Sequence, residues 1–288
     1  MLPILLAAFL AIAQAPHAEQ EEYGSHGGMQ EMTCPVGGEH FRALVTASYS
    51  IMGARPDGRP DTYWFMPLPI PECPSNGLVM FSDFTPAELA ALAPLVASDA
   101  YRAMVRTDST YYRAQWLATR IGRSEKVALG LLIPAIWQVK PTMSPTGQPM
   151  PSAAKARQYQ EEFVARVRAL PSEPADDGYL APYLRAANAE RELGHFDSAA
   201  NMLRQVGAML RAPRHADNRA FVAALTVVVA RNDPSIYPLD MADEVRVPWL
   251  CMDDALPASA FNQEMCARPA VRARIEENRR LRARQQAQ

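Results

Sequence analysis

The residues with the clearest chemical potential are two Cys-Pro corners, Cys34-Pro35-Val36-Gly37 and Cys73-Pro74-Ser75-Asn76-Gly77. Each reads as one half of a zinc ribbon whose second ligand is missing. A structural zinc site needs four soft or borderline ligands, usually two from each Cys-x-x-Cys knuckle. Gly37 and Asn76 stand where the second thiolates would be, so the pattern predicts knuckle shape without metal chemistry. The weak zinc alternative joins His40 to Cys34 and Cys73, with His26 as a fourth donor. Cys-x5-His is an unfavoured spacing, and no metal or other cofactor is expected. His17, His26, Met29, Met32 and His40 suggest copper capture, but isolated His and Met in a polar leader are ordinarily just solvated.

The four cysteines fall into two pairs close in sequence, Cys34 with Cys73 and Cys251 with Cys266. In an oxidising compartment such pairs close as disulfides. The chain-entropy model values these loops at roughly 4 and roughly 3 kcal/mol. In the cytosol the same residues would be free thiols. The N-terminus bears on that choice. An apolar run from Leu2 to Ala13 is shorter than the roughly 20 residues a bilayer-spanning helix needs. Small residues at Ala11, Ala13 and Ala15 fit a signal peptide over residues 1–15, cut after Ala13 or Ala15. The run departs from that pattern in having no Lys or Arg before it. The expected location is the periplasm or the exterior; the alternative is an apolar arm on a cytosolic protein.

Motifs with a reaction attached are missing. The chain has no Gly-x-Ser-x-Gly elbow, His-Glu-x-x-His or Gly-rich phosphate loop, so no catalytic residue is assigned. Asp253-Asp254 and Glu276-Glu277 are paired carboxylates, but adjacent residues on a helix diverge by about 100° and do not face one site. The segment 268–284 carries seven arginines. A basic helix of this kind can make peripheral contact with an anionic membrane. Without interleaved aromatics it offers no base stacking, and no nucleic-acid partner is expected. A solvated terminal helix is the plainer reading.

These residues need elements to position them. Half of the 288 residues are apolar and the net charge is −2, which describes a globular protein large enough for one or two domains. After a flexible leader at 16–31, residues 32–84 read as a small ribbon-like β segment, with strand character in Phe41–Ser50, Thr62–Phe65 and Leu78–Phe81. A turn-rich connection, Gly53 to Gly58, separates two of them. Thr85-Pro86-Ala87-Glu88 is a capping box with Pro at the first helical position. Asp108, Ser124, Ser152 and Asp197 are further N-cap candidates. Helices are predicted near 86–105, 109–121, 125–138, 153–169, 179–193, 197–211 and 214–230, a helical domain over 85–232. A C-terminal extension at 233–288 ends in a basic helix near 269–285.

Within that body, Tyr183 to Ala200 predicts a helical hairpin. Gly194 permits the positive φ of a helix C-cap, Phe196 closes the corner, and Ala199 sits where two helices cross closely. Tyr183, Ala187, Gly194, Phe196, Ala199 and Leu203 resemble a tetratricopeptide repeat. The pattern is broken at Glu190, where an aromatic is usual. Trp116 to Trp137, divided at Gly122, is a fainter echo. The fold class expected is mainly α, tetratricopeptide-like helical hairpins with a small β zinc-ribbon-like N-terminal segment, α+β overall.

Taken together, Cys34-Pro35-Val36, Phe41, Cys73-Pro74-x-x-Gly77 and the helix pairs resemble an uncharacterised bacterial domain family. That family joins a zinc-ribbon-like segment to tetratricopeptide-like helices, and the resemblance runs from Cys34 to about Arg231. It implies zinc where knuckles are intact, although only Cys34 and Cys73 match ligand positions here, and it implies no reaction. The expectation is an exported, non-catalytic binding or scaffolding protein that holds a protein or peptide partner. The alternatives are an envelope enzyme whose site is assembled from dispersed residues and a zinc-binding ribbon protein.

Overall fold

The computed structural model describes residues 27–46, 48–140, 152–170, 179–210, 215–254, 256 and 258–286. The expected signal peptide, His17 and His26 lie outside the described residues. Strands β1 (Gly27–Thr33) and β2 (His40–Thr46) pair antiparallel, with Gly27 opposite Thr46 and Thr33 opposite His40. The end of the expected leader, residues 27–31, is therefore strand. Met29 faces Leu44 and Met32 faces Phe41 across the ladder, and such apolar cross-strand pairs stabilise a two-stranded sheet. A second hairpin, β3 (Gly53–Ala54) and β4 (Pro60–Asp61), encloses the turn Arg55 to Arg59.

Two expected strands do not form. Thr62–Phe65 is irregular, and of Leu78–Phe81 only Val79 makes an isolated bridge, to Glu72. Pro67, Pro69 and Pro71 lie between these segments and have no N–H to give a ladder.

The helices are α1 (Pro86–Ala97), α2 (Asp99–Thr107), α3 (Thr110–Arg120), α4 (Glu125–Val139), α5 (Ala153–Arg168), α6 (Leu180–Glu192), α7 (Phe196–Met209), α8 (Ala216–Ala230), the short α9 (Val247–Leu250), α10 (Ala260–Ala267) and α11 (Pro269–Gln286). The Thr85–Glu88 capping box is present in full, and Ser152 caps α5 by accepting from the Lys155 N–H. The helix expected over 86–105 is broken at Ser98. Its hydroxyl donates to the Leu95 carbonyl at 2.6 Å and accepts from the Tyr101 N–H at 3.2 Å, closing one helix and capping the next.

Three other expected caps are corrected. Ser109, rather than Asp108, caps α3; the Asp108 carboxylate is engaged by Lys155 at 2.6 Å and by the Tyr159 hydroxyl at 2.8 Å. Ser124 occupies the cap position of α4 without a side-chain bond. Helix α7 begins at Phe196, which leaves Asp197 inside its first turn.

Helices α3 to α7 each pack on their successor, and α4 also meets α6 as α6 meets α8. Helices α3 and α6 end alike. Gly122 and Gly194 take φ of +80° and +84°, and the next N–H reaches back to Ala118 and Glu190 respectively, the six-to-one closure of a Schellman end. The larger core gathers Leu132, Tyr159, Phe163, Ala187, Val206 and Leu225 from α4 to α8. A smaller core packs Cys34, Cys73 and Leu78 against Leu92, Tyr101 and Leu117 of α1 to α3. At the C-terminus the Cys251–Cys266 disulfide (Cα–Cα 5.7 Å) joins the end of α9 to α10. Helix α11 packs on α9, with Arg282 over the Trp249 ring and Ile275 buried.

Candidate functional site

The two Cys-Pro corners fold as matching knuckles. In the first, the Cys34 N–H donates to Glu39 and the Cys34 carbonyl accepts from Gly38; in the second, Cys73 does the same with Leu78 and Gly77. The knuckles face one another and their cysteines are bonded, at a Cα–Cα distance of 5.5 Å. The residues at the missing ligand positions contribute differently. Asn76 donates from Nδ2 to the Val36 carbonyl at 2.6 Å, and its Oδ1 accepts from the Leu78 N–H at 2.9 Å. Gly37 holds φ of +107°, a conformation that would strain a cysteine there.

Glu39 completes the tie by accepting from the N–H and hydroxyl of Ser75 at 2.9 and 2.7 Å. It is Glu39 that comes within 4.8 Å of both sulfurs. His40 instead pairs with the Thr33 hydroxyl at 3.0 Å on the exposed side of the strand. The proposed ligand set Cys34, Cys73 and His40 is thus not brought together, and both sulfurs are committed to each other. Arg113 anchors the second knuckle to α3, donating to Glu72 and to the Gly77 carbonyl, which also accepts from the Tyr101 hydroxyl at 2.7 Å. Burial pushes the Tyr101 hydroxyl up to about 12.

The β3–β4 hairpin lies across α4 and α6, and its tip is fixed by buried charge. Lys140, just past α4, places its ammonium 2.6 Å from Asp57 Oδ2 and 2.6 Å from Glu192 Oε2. Gln160 and Asn188 donate to the same Glu192 carboxylate at 2.6 and 2.8 Å. Burial alone would raise the Asp57 carboxyl, but the Lys140 charge and the Arg59 N–H hold it below the usual carboxylate range. Burial likewise works against the Lys140 ammonium, and Asp57 and Glu192 outweigh it, so its pKa is raised. Trp137 and Arg185 donate to the Asp57 and Pro56 carbonyls. A Cβ on Gly58 would come 2.5 Å from the Arg185 Nε, and its φ is +85°, so any other residue where the hairpin meets α6 would take a strained backbone and displace the Arg185 guanidinium. The cavity beside Lys140 measures about 10 Å³, room for no more than about one water. This cluster ties two layers together and leaves no space for a substrate.

Beside the hairpin opens a larger cleft of about 490 Å³, walled by Tyr49, Pro67, Leu68, Tyr111, Trp137 and Arg185 among others, with Gly130 of α4 also lining it. The Tyr111 hydroxyl, pushed up to about 12 by burial, donates to the Leu68 carbonyl at 2.9 Å and braces one wall. Between Tyr49 and Met66, Ile51, Met52, Tyr63 and Phe65 are exposed, four of the nine exposed large hydrophobics among the described residues.

At the hairpin proposed from Tyr183 to Ala200, Ala199 is fully buried and Phe196 packs half-buried against the larger core. Glu190, which departs from the repeat pattern, is buried and accepts from Ser198 at 2.9 Å and from Arg168, with His195 Nδ1 at 2.7 Å. It stitches α6 to the start of α7 where an aromatic would only pack.

The sequence reading of Gly53 to Gly58 as a turn-rich connection does not include the buried charges of Arg55 to Asp61. The available signal was the density of ionisable residues in Arg55-Pro56-Asp57-Gly58-Arg59-Pro60-Asp61, together with an isolated lysine, Lys140, in a chain that has three. Compared with known proteins, the chain matches no family model, no curated protein and no solved structure.

Proposed function

We propose that this is an exported, non-catalytic binding protein that holds a peptide segment of a partner in the cleft between its β3–β4 hairpin and helices α4 and α6. The observation that carries the reading is the open cleft itself, about 490 Å³ and lined by Tyr49, Tyr111 and Trp137 with one cation, Arg185. Aromatic walls with few polar groups suit an extended apolar segment, and Ile51 and Met52, close in sequence to the lining residue Tyr49, are exposed apolar side chains.

The succession of helices supports a tetratricopeptide-like description. Each of α3 to α7 packs on the next, and the alternate helices α4, α6 and α8 touch, as nearest-neighbour stacking of helical hairpins requires. Two disulfides support export, since such bonds persist in oxidising compartments. No helix among the described residues is long and apolar enough to cross a membrane.

An enzyme would use buried titratable groups left free beside a cavity. The buried carboxylates Asp57 and Glu192 are both paired with Lys140 next to a water-sized cavity, and Asp61, which lines a larger one, is engaged by Arg246 and the Tyr237 hydroxyl. That contrast favours the binding reading.

Peptide selection against the purified protein tests the proposal, with Gly130→Leu as the discriminating variant. A Cβ at Gly130 meets nothing within 4 Å, and leucine improves helix propensity by up to about 1 kcal/mol. The variant should be at least as stable as the parent while filling the cleft. Selected peptides should lose most of their affinity for it. Peptides that bind parent and variant equally would place any binding surface elsewhere.

A further inference from the structure

On the other side of Pro60 and Met66 lies a second, smaller chamber of about 150 Å³, walled by Arg55, Arg59 and Arg246 with Asp61 and Trp64. Its charges do not balance. The single carboxylate is already engaged: Asp61 Oδ1 faces Arg246 Nη1 at 3.0 Å and Arg55 Nε at 3.5 Å, and Oδ2 accepts from the Tyr237 hydroxyl at 2.6 Å. Arg55 and Arg246 each also stand 5.6 Å from the centre of the Tyr237 ring. Two of the three guanidiniums are therefore held in place by Asp61 and Tyr237.

Arg59 is different. It is 9% exposed, and its Nη1 is buried with no hydrogen-bond partner among the described residues. The nearby Asp57 is turned away, giving one oxygen to Lys140 and the other to the Arg59 backbone N–H. Burial, with the Arg55 charge adding to it and the nearby Asp57 and Asp61 charges working against it, pushes the Arg59 guanidinium down to about 10. A buried cation without a partner is costly unless something of opposite charge completes it. The backbone offers no relief, because the tight turn from Arg55 to Arg59 is closed by its own bonds, Arg55 N–H to Arg59 and Gly58 N–H to Arg55.

We propose that the chamber is a binding site for a compact oxyanion, a carboxylate or phosphate group of a small molecule, gripped by Arg59 with Arg55 and Arg246 alongside. Three guanidiniums and one carboxylate line the chamber, with Asp243 behind Arg246 at 3.9 Å, so the lining itself is net positive, and the volume admits a group of a few atoms. Arginine is suited to the task, since its planar fork bonds carboxylate and phosphate oxygens in pairs. The proposal stands without the role given to the larger cleft, because free anions are sufficient probes.

The test is a titration of the full-length protein with inorganic phosphate and, separately, with acetate, at constant ionic strength set by chloride. Two readouts are followed: the side-chain Nε–H resonance of Arg59 and the melting temperature. A saturable movement of that resonance and a rise in melting temperature that follows mass action are expected with at least one anion. Response to phosphate alone assigns phosphate, response to acetate alone assigns carboxylate, and either supports the site. In Arg59→Met the apparent affinity should fall by at least about tenfold. The melting temperature without anion should equal or exceed that of the parent, since an unpaired charge has been removed. If Arg59→Met fails to fold, Arg55→Gln and the resonance of Arg59 in the parent carry the test. No saturable response beyond chloride, or an undiminished response in Arg59→Met, would overturn the proposal.

Discussion

The Asn76 carboxamide reaches from the second Cys-Pro knuckle to the first and donates to the Val36 carbonyl at 2.6 Å, from the position where a zinc ribbon would carry a thiolate. Its Nδ2 also lies 3.6 Å from where a Cβ on Gly37 would be, the other missing ligand position. Between them the Cys34–Cys73 disulfide and this amide link both knuckles where four sulfurs around a metal would otherwise do so. Asn76→Ala removes the cross-link and leaves the Leu78 N–H without its acceptor. A loss of about 1–3 kcal/mol is expected, measurable by chemical denaturation. An unchanged midpoint would mean that the disulfide and the Glu39–Ser75 bonds carry the segment without it.

The disulfide itself should be seen by non-reducing peptide mapping of exported material, with Cys34 linked to Cys73 and Cys251 to Cys266. Removing a native disulfide from a small domain costs about 2–5 kcal/mol, so Cys34→Ala with Cys73→Ala should melt well below the parent. A chelator should leave the parent's melting temperature where it is, since structural zinc would contribute folding energy outright. One equivalent of zinc by elemental analysis, with free thiols at both positions, would reverse the assignment.

How much of this was legible depended on distance along the chain. The Thr85–Glu88 box and the Gly194 end are local, their partners within five residues, and sequence shows them directly. Ser98 is local too, yet the same serine could have sat inside a helix. Only its bonds to Leu95 and Tyr101 decide for a break. The strand from Gly27 to Glu31 reads as leader because its stabilising pairs, such as Met29 with Leu44, are across a ladder. The tie between Asp57 and Lys140 spans 83 residues, and the missing partner of Arg59 is visible only once every neighbour has been placed. Charged residues in a turn ordinarily face water, so a turn reading of Gly53 to Gly58 gives no hint of burial at Asp57 or at Arg59 beside it.

The buried charge cluster makes a pH-dependent prediction. Lys140→Met leaves Asp57 buried without the cation that holds its pKa down, and burial, the largest influence on it, then pushes that pKa up. Breaking a buried pair in this way costs about 3–5 kcal/mol. In the parent, the lowered Asp57 pKa contributes stability that is present above the unfolded value near 3.9 and lost as pH falls through the folded value. In the variant the sign reverses: stability is lost as pH rises from about 4 toward a raised folded pKa. The deficit between parent and variant should therefore widen from pH 4 to pH 7. A deficit that is constant across that range would mean that the carboxylate is not governed by Lys140.

Gly58 and Gly122 allow strain and crowding to be separated. Both have positive φ, but a Cβ on Gly122 meets nothing within 4 Å, whereas one on Gly58 strikes the Arg185 guanidinium. Gly122→Ala should cost about 1 kcal/mol from backbone conformation alone. Gly58→Ala should cost more, because Arg185 must also leave the Pro56 carbonyl that it holds at 2.6 Å. Equal losses would show that the hairpin tip yields without disturbing α6.

The packing of α6 on α7 is tested at Ala199, which is fully buried. Ala199→Arg would drive a charged side chain into that contact, and burying an unpaired charge costs several kcal/mol. Against a typical domain margin of about 5–15 kcal/mol the variant should be poorly folded. Asp197 gives the contrast. It lies exposed in the first turn of α7 and makes no cap, so Asp197→Ala loses only a favourable interaction with the helix dipole, about 0.3–1 kcal/mol. Thermal melts of the two variants should therefore differ widely, with Asp197→Ala close to the parent. If Ala199→Arg melts like the parent, the two helices do not pack through that residue. The stacked-hairpin description of α3 to α8 would then lose its best-defined contact.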